Sequence, residues 1–581
     1  MSKSLKNNLI GLGIGLCLAL AYIFVLSHCF DFVYTSNDDV LLKAIANGSI
    51  TGFPDGHLIY IMYPLGGFLA FLYNLNPNIA WFDIMLNVFR VLSYILIITK
   101  AANLRNKITD KLIVGISFIL LFAAVDMSNA VMVQYSVVSA LLAGTALFYL
   151  ASFNDDYASE KILYISDVSV IIITLILSML LRKEVMALAM PLGIMIVAVR
   201  LTHMHRDKDN DHKKNIRAGW VSFLAGILLF AICVLIHIGA YSSSEWREFN
   251  KYNSLRTDIF DYYEFENINL AAYENELNET GIESGDYHAL GRYNIALMDN
   301  LDLNNISELR DIAKRDYDQR RQNYSVIKET IYGVAKEFIQ PKAYPVTLIL
   351  AIVMVFSIIL LSYHRKEAAF KIAVLSIIYM LFVMAYFIYV GRWPQRVSFG
   401  LYFMIMMTLL GVVLRFVPSS SGKMSRYDIA VYAMELVGLM FIIGFSYRDT
   451  VINQKEITAD IAKWQCVNDY CNLNDNNIYY VETTSIRTFK EYSGNADVME
   501  ANNVIRLGVW TYGGPLFRDY LGSRGLDDVH EDIYRDNVYV ITDGSLNEDF
   551  LNGVYPEAKV EICDTIMMPD GSSWNVFDVR K

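Results

Sequence analysis

Residues 57–75 read HLIYIMYPLGGFLAFLYNL, and whether this run crosses a membrane decides the fold of the whole chain. A hydrocarbon core of about 30 Å takes roughly 20 apolar residues in a helix, so the run is almost long enough to span it. Residues 64–67 (Pro-Leu-Gly-Gly) interrupt the run, however. Such a break favours a helix that lies at the interface or re-enters the membrane.

The rest of the chain is rich in apolar runs. Of its 581 residues, 54% are hydrophobic and 19% are charged, which predicts a polytopic α-helical membrane protein. The sequence contains about 11 segments that fit a membrane span. They are 8–29, 80–99, 112–126, 134–152, 165–181, 184–200, 218–240, 346–363, 372–390, 397–414 and 428–446.

The basic loops orient these spans, because Lys and Arg collect in short cytoplasmic loops. The predicted cytoplasmic loops are 100–111, 200–217, 364–371 and 415–426. Lys3 and Lys6 place the N-terminus on the same side. These assignments agree only if the chain crosses the membrane twice between residues 8 and 100, and segments 8–29 and 80–99 already do so. The run 57–75 is therefore predicted not to cross, and it belongs to a long outer loop, 30–79.

The predicted transmembrane domain covers residues 1–446 and carries a second outer segment, 241–345, which is mainly helical. Residues 447–581 alternate strand-like runs with helical spacing, which predicts a small extracytoplasmic α/β domain. Frequent Ile, Asn, Lys and Tyr are typical of an AT-rich bacterial genome, so the plasma membrane of a bacterium is the expected location. A net charge of −11 argues against a nucleic-acid partner.

Adjacent carboxylates, Asp38 and Asp39, open the first outer loop. They could hold a divalent cation such as Mg²⁺ or Mn²⁺ through oxygen ligands. They could instead supply a general base whose pKa is raised by its like-charged neighbour. A third interpretation is a helix start, with Ser36 or Asn37 as the cap and the acids at its positive end.

The order of features in residues 30–100 resembles that of the GT-C glycosyltransferases. Protein O-mannosyltransferases, the lipid A aminoarabinose transferase and oligosaccharyltransferase catalytic subunits share an acidic pair, a juxtamembrane helix and a Pro-containing interfacial segment. In those families Pro-Pro-Leu is followed by Trp, and here Pro64-Leu65 and Trp81 stand in comparable places, although the first proline is absent. The resemblance covers most of the chain as topology and residues 30–100 as local sequence.

The resemblance implies that a sugar moves from a polyprenyl-phosphate donor to a cell-surface glycan or another envelope acceptor, with inversion at the anomeric carbon. Asp38 or Asp39 would then be the general base. Asp126, at the outer end of the third span, would match a second acidic position, although a single Asp at a span end is often simply solvated.

A phosphate leaving group needs cations, and two outer turns supply them. Arg182 and Lys183 lie in the short turn between the fifth and sixth spans, where charges are costly and commonly functional. The alternative is that they snorkel to the interface. Arg392 and Arg396 flank Trp393 in the turn between the ninth and tenth spans, and Arg binds phosphate in a bidentate way.

Weaker candidates for contact with the acceptor or the sugar are His57, Trp81, Trp246, Arg256 and Trp393. Trp246 and Arg256 could line a groove or simply belong to a polar amphipathic helix. The turn 510–515 (WTYGGP) could touch a glycan or be only a turn.

Three other functions compete with sugar transfer. A lipid-linked glycan flippase or transporter would favour two similar halves and charges at mid-membrane. An outer-face glycan polymerase would depend on arginines rather than on an acidic pair. A non-enzymatic envelope scaffold is the third.

Overall fold

The protein is described here by a computed structural model, and it is mostly helical. The described residues are 3–153, 161–204, 210–282, 285–298, 301–322, 326–340, 343–416, 426–486, 489–498, 500–508, 510–544 and 548–581. The middle of the predicted basic loop 200–217 and most of the loop 415–426 lie outside these residues.

The N-terminal part of the chain contains seven helices and two very short strands. In chain order they are α1 (Lys3–Cys29), β1 (Val33–Tyr34), α2 (Asn37–Asn47), α3 (Tyr63–Leu75), α4 (Trp81–Asn103), α5 (Ile108–Val125), α6 (Met127–Val131), β2 (Met132–Val133) and α7 (Tyr135–Ala151).

The central part continues as helices, with the predicted outer segment between α10 and α16. These helices are α8 (Lys161–Leu181), α9 (Lys183–Met204), α10 (Asn210–Ala240), α11 (Ser244–Thr257), α12 (Glu274–Glu279), α13 (Asp286–Gly291), α14 (Leu303–Gln322), α15 (Val326–Ile339), α16 (Val346–Tyr363), α17 (Glu367–Tyr389) and α18 (Gln395–Phe416). A π-helical turn (Asp258–Tyr262) and three 3₁₀ turns (Phe265–Asn267, Leu270–Tyr273, Ile295–Leu297) complete the outer segment.

The C-terminal part begins with a helix of 48 residues, α19 (Arg426–Leu473), that leads into a small domain. That domain contains β3 (Ile478–Val481), α20 (Thr483–Ile486), β4 (Val504–Arg506), α21 (Pro515–Gly522), α22 (Val529–Asp532), β5 (Val538–Thr542), α23 (Glu548–Val554), β6 (Lys559–Met567) and β7 (Ser573–Arg580). Its five-stranded sheet has the order β4-β3-β5-β7-β6. The β3 strand pairs in parallel with β4 and β5, whereas β7 runs antiparallel to β5 and β6. The predicted α/β domain is confirmed.

Nine of the described helices are long and apolar enough to cross a membrane, which confirms a polytopic helical protein. The predicted span 134–152 corresponds to α7, an apolar helix of only 17 residues. The predicted span 428–446 forms the first part of α19. The α3 helix has 13 residues, and at 1.5 Å per residue it is about 20 Å long, too short for a hydrocarbon core of about 30 Å.

The centre of the transmembrane part is the contact between α7 and α18. Nearly every side chain of α7 is buried, and most of α18 is too. Two glycines let these helices approach closely: a Cβ on Gly144 would lie 2.5 Å from Phe403, and one on Gly411 would lie 2.8 Å from the carbonyl oxygen of Phe148. Small residues at such crossings allow the close packing that holds apolar helices together in lipid.

The first outer loop is fixed by backbone pairing on both sides of β1. The β1 strand pairs in parallel with β2, at Val33–Met132 and Tyr34–Val133. On its other side, Val33 forms an antiparallel bridge with Tyr492 of the C-terminal domain. Helix α2 starts directly after this small sheet, so its N-terminus has a fixed position relative to both domains.

Candidate active site

Helix α2 begins at the acidic pair because Ser36 caps it. The Ser36 hydroxyl accepts a hydrogen bond from the Asp38 backbone N–H at 3.1 Å, so Asp38 and Asp39 lie in the first turn. Carboxylates are favoured there by the positive end of the helix. The helix ends at Gly48, whose φ of 83° is left-handed and where a Cβ would lie 2.5 Å from the Phe53 backbone. The helix start is thus explained by Ser36, and Asp38 and Asp39 are left free to take part in chemistry as well.

Asp39 is fully buried. Its Oδ1 accepts a hydrogen bond from the Tyr135 backbone N–H at 2.9 Å, whereas its Oδ2 has no partner among the described residues. Burial raises the pKa of Asp39, and the neighbouring Asp38 raises it further. The Tyr135 N–H, Arg396 and Arg182 lower it, but the pKa remains well above the usual value. Asp39 is therefore a neutral carboxyl group over a wider pH range than an ordinary Asp.

Asp38 is half-buried and faces a different set of groups. Its Oδ1 accepts a hydrogen bond from the indole N–H of Trp510, in the C-terminal domain, at 3.2 Å. The Trp510 ring packs edge-on against Tyr60, with 5.0 Å between ring centroids. The acidic pair thus consists of a buried carboxyl and an accessible one beside two aromatic rings.

Arg182 enters the same neighbourhood from the one-residue turn between α8 and α9. Its guanidinium lies 5.1 Å from the centroid of Tyr60 and 5.4 Å from that of Tyr135, and it donates a hydrogen bond to the Tyr135 hydroxyl. Its Nε also lies 3.0 Å from Glu184. Lys183, predicted to act with it, is exposed. Of the two, Arg182 is the cation that reaches the acidic pair.

Arg256, from α11, is buried and lies within electrostatic reach of Tyr60. It donates hydrogen bonds to the Tyr293 hydroxyl and, at 2.9 Å, to Asn253. Burial raises the pKa of Tyr60, Asp38 raises it further and Arg256 lowers it. Tyr60 therefore lies within electrostatic reach of both the accessible carboxylate and this second cation.

The two arginines of the turn 391–396 have different neighbours. Arg392 pairs with Asp261, with 3.4 Å between Nη2 and Oδ2, and its guanidinium stacks 4.6 Å from the Tyr262 centroid. Arg396 is half-buried, lowers the pKa of Asp39, and makes no hydrogen bond to a described residue. Of these two arginines, Arg396 is the one whose charge acts on Asp39.

The predicted sugar-contacting rings are dispersed. His57 stacks on Trp246 at 4.4 Å with 16° between the rings, and its Nδ1 lies 2.7 Å from Asp55. Trp81 donates its indole N–H to the Asn76 carbonyl at 3.0 Å. Trp393 is buried between α17 and α18, where it packs on Phe387 and Tyr402.

Asp126 lies apart from the acidic pair, in a buried cluster of α1, α4 and α5. It accepts a hydrogen bond from Tyr94, and its Oδ2 lies 3.9 Å from Nε of Arg90. Neither Asp38 nor Asp39 belongs to that cluster. The structure therefore brings together Asp38, Asp39, Arg182, Arg256 and Arg396, and it separates them from Asp126.

A divalent cation at the acidic pair stays a prediction. Within the described part of the chain, no group of three or more His, Cys, Asp or Glu side chains is arranged to hold a metal ion. Asp38 and Asp39 also face different partners, Trp510 and the Tyr135 N–H, rather than a shared space.

Four aromatic residues of the site were not predicted in a defined role: Tyr60, Tyr135, Tyr293 and Trp510. Tyr60 is one of several rings in an apolar run, and nothing in its spacing distinguishes it. Trp510 stands in a conspicuous aromatic turn, but its hydrogen-bond partner is 472 positions away. Lys490, which is not aromatic, is a further residue that was not predicted; burial lowers its pKa, while Asp460, Asp38 and Asp39 raise it.

Comparison with known proteins gives a likeness of overall fold. The chain matches no protein-family model, and no curated protein matches it in sequence. Two solved structures are similar to it: ArnT from Cupriavidus metallidurans bound to undecaprenyl phosphate, and the same protein in the apo state. Each is 11% identical, covers 97% of both chains and has a TM-score of 0.39.

Proposed function

We propose that this protein is a membrane glycosyltransferase that moves a sugar from a polyprenyl-phosphate donor to an acceptor of the cell envelope on the extracytoplasmic face. One observation carries the proposal. An accessible carboxylate, Asp38, and a buried arginine, Arg256, lie within electrostatic reach of Tyr60, and the guanidinium of a second, largely buried arginine, Arg182, lies 5.1 Å from the centroid of that same ring. A base and two cations that all act on one ring fit a reaction that takes up a proton and releases a phosphate.

In the proposed reaction, Asp38 accepts the proton of the acceptor hydroxyl. That oxygen attacks C1 of the sugar, a new C1–O bond forms, and the bond from C1 to the phosphate oxygen breaks with inversion. The lipid phosphate leaves with one more negative charge than it had in the donor. Asp38 is favoured over Asp39 as the base, because Asp39 is fully buried, where an acceptor hydroxyl cannot reach it, and burial raises its pKa.

Arg182 and Arg256 are suited to stabilise the leaving phosphate. Guanidinium groups bind phosphate through paired N–H donors, and low-dielectric surroundings strengthen such contacts. Both are held by tyrosine hydroxyls, Tyr135 and Tyr293, which orient them before substrate binds. Arg182 stands between the last residue of α8 and the first of α9, at the rim of two spans, where the headgroup of a lipid donor would lie.

A lipid-linked donor fits this site better than a nucleotide sugar. The sequence has no Gly-rich phosphate loop between a strand and a helix, which a cytoplasmic nucleotide site would favour. The rings of Tyr60 and Trp510 offer apolar faces and edges on which a sugar can pack. The sugar transferred is a hexose in this proposal, and the acceptor is a cell-surface glycan.

The test is release of undecaprenyl phosphate from a panel of undecaprenyl-phosphate hexoses. Purified full-length protein would be incubated with each donor and with envelope glycans, and the released lipid phosphate measured by mass spectrometry. We expect release with at least one donor, and a loss of about 100-fold or more in Asp38→Asn, as for removal of a general base. Asp31→Asn, which changes an exposed acid of the same loop, is the matched control and should keep its activity. Full activity of a folded Asp38→Asn protein would contradict the proposal.

A further inference from the structure

Helix α2 carries a lysine, Lys43, that has no part in the proposed reaction. Lys43 follows Asp39 by four positions, so it lies on the same side of the helix, and it is fully buried. Its ammonium pairs with Glu491 of the C-terminal domain, which is also fully buried. A buried ammonium without a partner is very costly, so this pair ties α2 to the C-terminal domain.

Asp83, at the start of α4, joins the same network. Its Oδ2 lies 3.9 Å from Lys43 Nζ, and its Oδ1 accepts hydrogen bonds from the Tyr34 hydroxyl at 2.5 Å and the Gly494 N–H at 2.9 Å. The Ser493 hydroxyl also donates to it at 2.7 Å. One ammonium thus lies between two carboxylates that belong to different domains.

Hydrogen bonds to backbone carbonyls of the C-terminal domain connect it further to β1 and to the second half of α2. The Tyr34 N–H donates to the Glu491 carbonyl at 3.0 Å, and Lys43 Nζ lies 3.5 Å from the Asp497 carbonyl. At the last residue of α2, the Asn47 side chain donates to the Ala496 carbonyl at 3.1 Å. The C-terminal domain therefore contacts α2 at its flank and its end, and contacts Asp38 itself through Trp510.

We infer that the Lys43–Glu491–Asp83 network is a positioning device: it sets the axis and rotation of α2, and so holds Asp38 at the distance from the two arginines that catalysis requires. This inference rests on the proposed function for its catalytic part. Its structural part, the order of α2, stands on the buried contacts alone. Lys43 and Glu491 touch no substrate, and they act through the placement of Asp38.

The experiment compares Lys43→Met, Lys43→Arg and Lys100→Met in full-length protein in nanodiscs. Lys100→Met is the matched control, because Lys100 forms another buried Lys–Asp pair, with Asp167, where α4 meets α8 at the predicted cytoplasmic face. Two readouts are taken: hydrogen exchange of the amides of residues 37–47, and kcat and KM for the best undecaprenyl-phosphate hexose of the donor panel.

For Lys43→Met we expect faster exchange in residues 37–47 and a kcat lowered by about tenfold or more, with KM within about twofold. Lys43→Arg, which keeps the charge, should recover most of the kcat. Lys100→Met should leave both readouts of α2 unchanged. Where Lys43→Met does not fold, Glu491→Gln replaces it, since it removes the charge and keeps the shape.

Exchange in residues 37–47 that is the same in Lys43→Met and Lys100→Met would overturn the inference, and so would a normal kcat in a protein whose α2 exchanges faster. Absence of any transfer by the wild type overturns the proposed function instead. In that case the exchange measurement still decides whether the network orders α2.

Discussion

Arg182 and Arg392 look alike in the sequence and differ in the structure. Both are arginines in short turns on the predicted outer face, where the positive-inside rule disfavours them. Arg182 is directed between Tyr60 and Tyr135, beside the acidic pair. Arg392 pairs with the partly exposed Asp261 and stacks on Tyr262, in the outer helical segment.

The difference teaches that a cation's neighbours, and not its place in a turn, decide what it can bind. Arg182 pairs with Glu184, which is 55% exposed, and its guanidinium lies over the rings of Tyr60 and Tyr135. It also lies within electrostatic reach of both carboxyl groups of the acidic pair. Arg392 also has a carboxylate and a ring, but both belong to the outer helical segment.

The largest effect expected from this comparison is that of Arg182→Gln. Removal of a cation that stabilises the leaving phosphate should lower undecaprenyl phosphate release by about 100-fold, as for loss of one strong transition-state contact. Arg392→Gln in the same assay should change it by less than about threefold. Equal losses in the two variants would contradict the distinction between the turns.

Trp510→Phe should have a smaller effect. Phe keeps the ring against Tyr60 but removes the N–H that donates to Asp38, so activity should fall by about tenfold, the value of a hydrogen bond to a charged group. The readout is the same release assay. Trp220→Phe, at an exposed position of α10, is the control and should behave as the wild type. An unchanged rate in Trp510→Phe would mean that the hydrogen bond from the C-terminal domain to Asp38 does not contribute to the reaction.

Asp39→Asn tests whether the pKa of Asp39 is raised, by comparing how the stability of the variant and of the wild type depends on pH. Because burial raises the pKa of Asp39, the folded protein holds this proton above the ordinary Asp pKa of about 3.9. Folding therefore takes up a proton, and the free energy of unfolding falls as the pH rises from about 4 toward the folded pKa. Asp39→Asn lacks this contribution, so its Tm should fall less than that of the wild type between about pH 4.5 and about pH 7.5. A steeper fall in the variant would contradict a protonated Asp39.

The smallest effect is that of Arg392→Gln on stability. The Arg392–Asp261 pair is partly exposed, and such pairs contribute about 0–1 kcal/mol. Thermal unfolding in detergent should shift by no more than a few degrees. A large loss of stability would mean that Arg392 holds the outer helical segment in place.

Local patterns in the sequence predicted the parts of the fold that local patterns control. Ser36 or Asn37 before two acids indicated a helix start as one interpretation of the pair, and Ser36 is the residue that caps α2. The break at Pro64 together with the loop charges predicted that this region does not span. The strands of the C-terminal domain appeared as β-branched and aromatic runs at Ile478–Val481 and Val538–Ile541.

The assembly of the site could not be predicted in the same way. Trp510 meets Asp38 across 472 positions, and Lys43 meets Glu491 across 448. Such contacts depend on how the two domains pack, and no spacing within either segment encodes them. For the same reason Asp126, at a span end like the acidic pair, turned out to belong with Arg90.

The most direct test of the account is the position of a bound lipid phosphate. Full-length protein would be reconstituted with undecaprenyl phosphate and imaged by cryo-electron microscopy, and the density of the headgroup located. The account predicts a phosphate between Arg182 and Arg256, within reach of Asp38 and Tyr60. A phosphate held by Arg392 instead, with Arg182 still on Tyr135 and no lipid near Asp38, would contradict it.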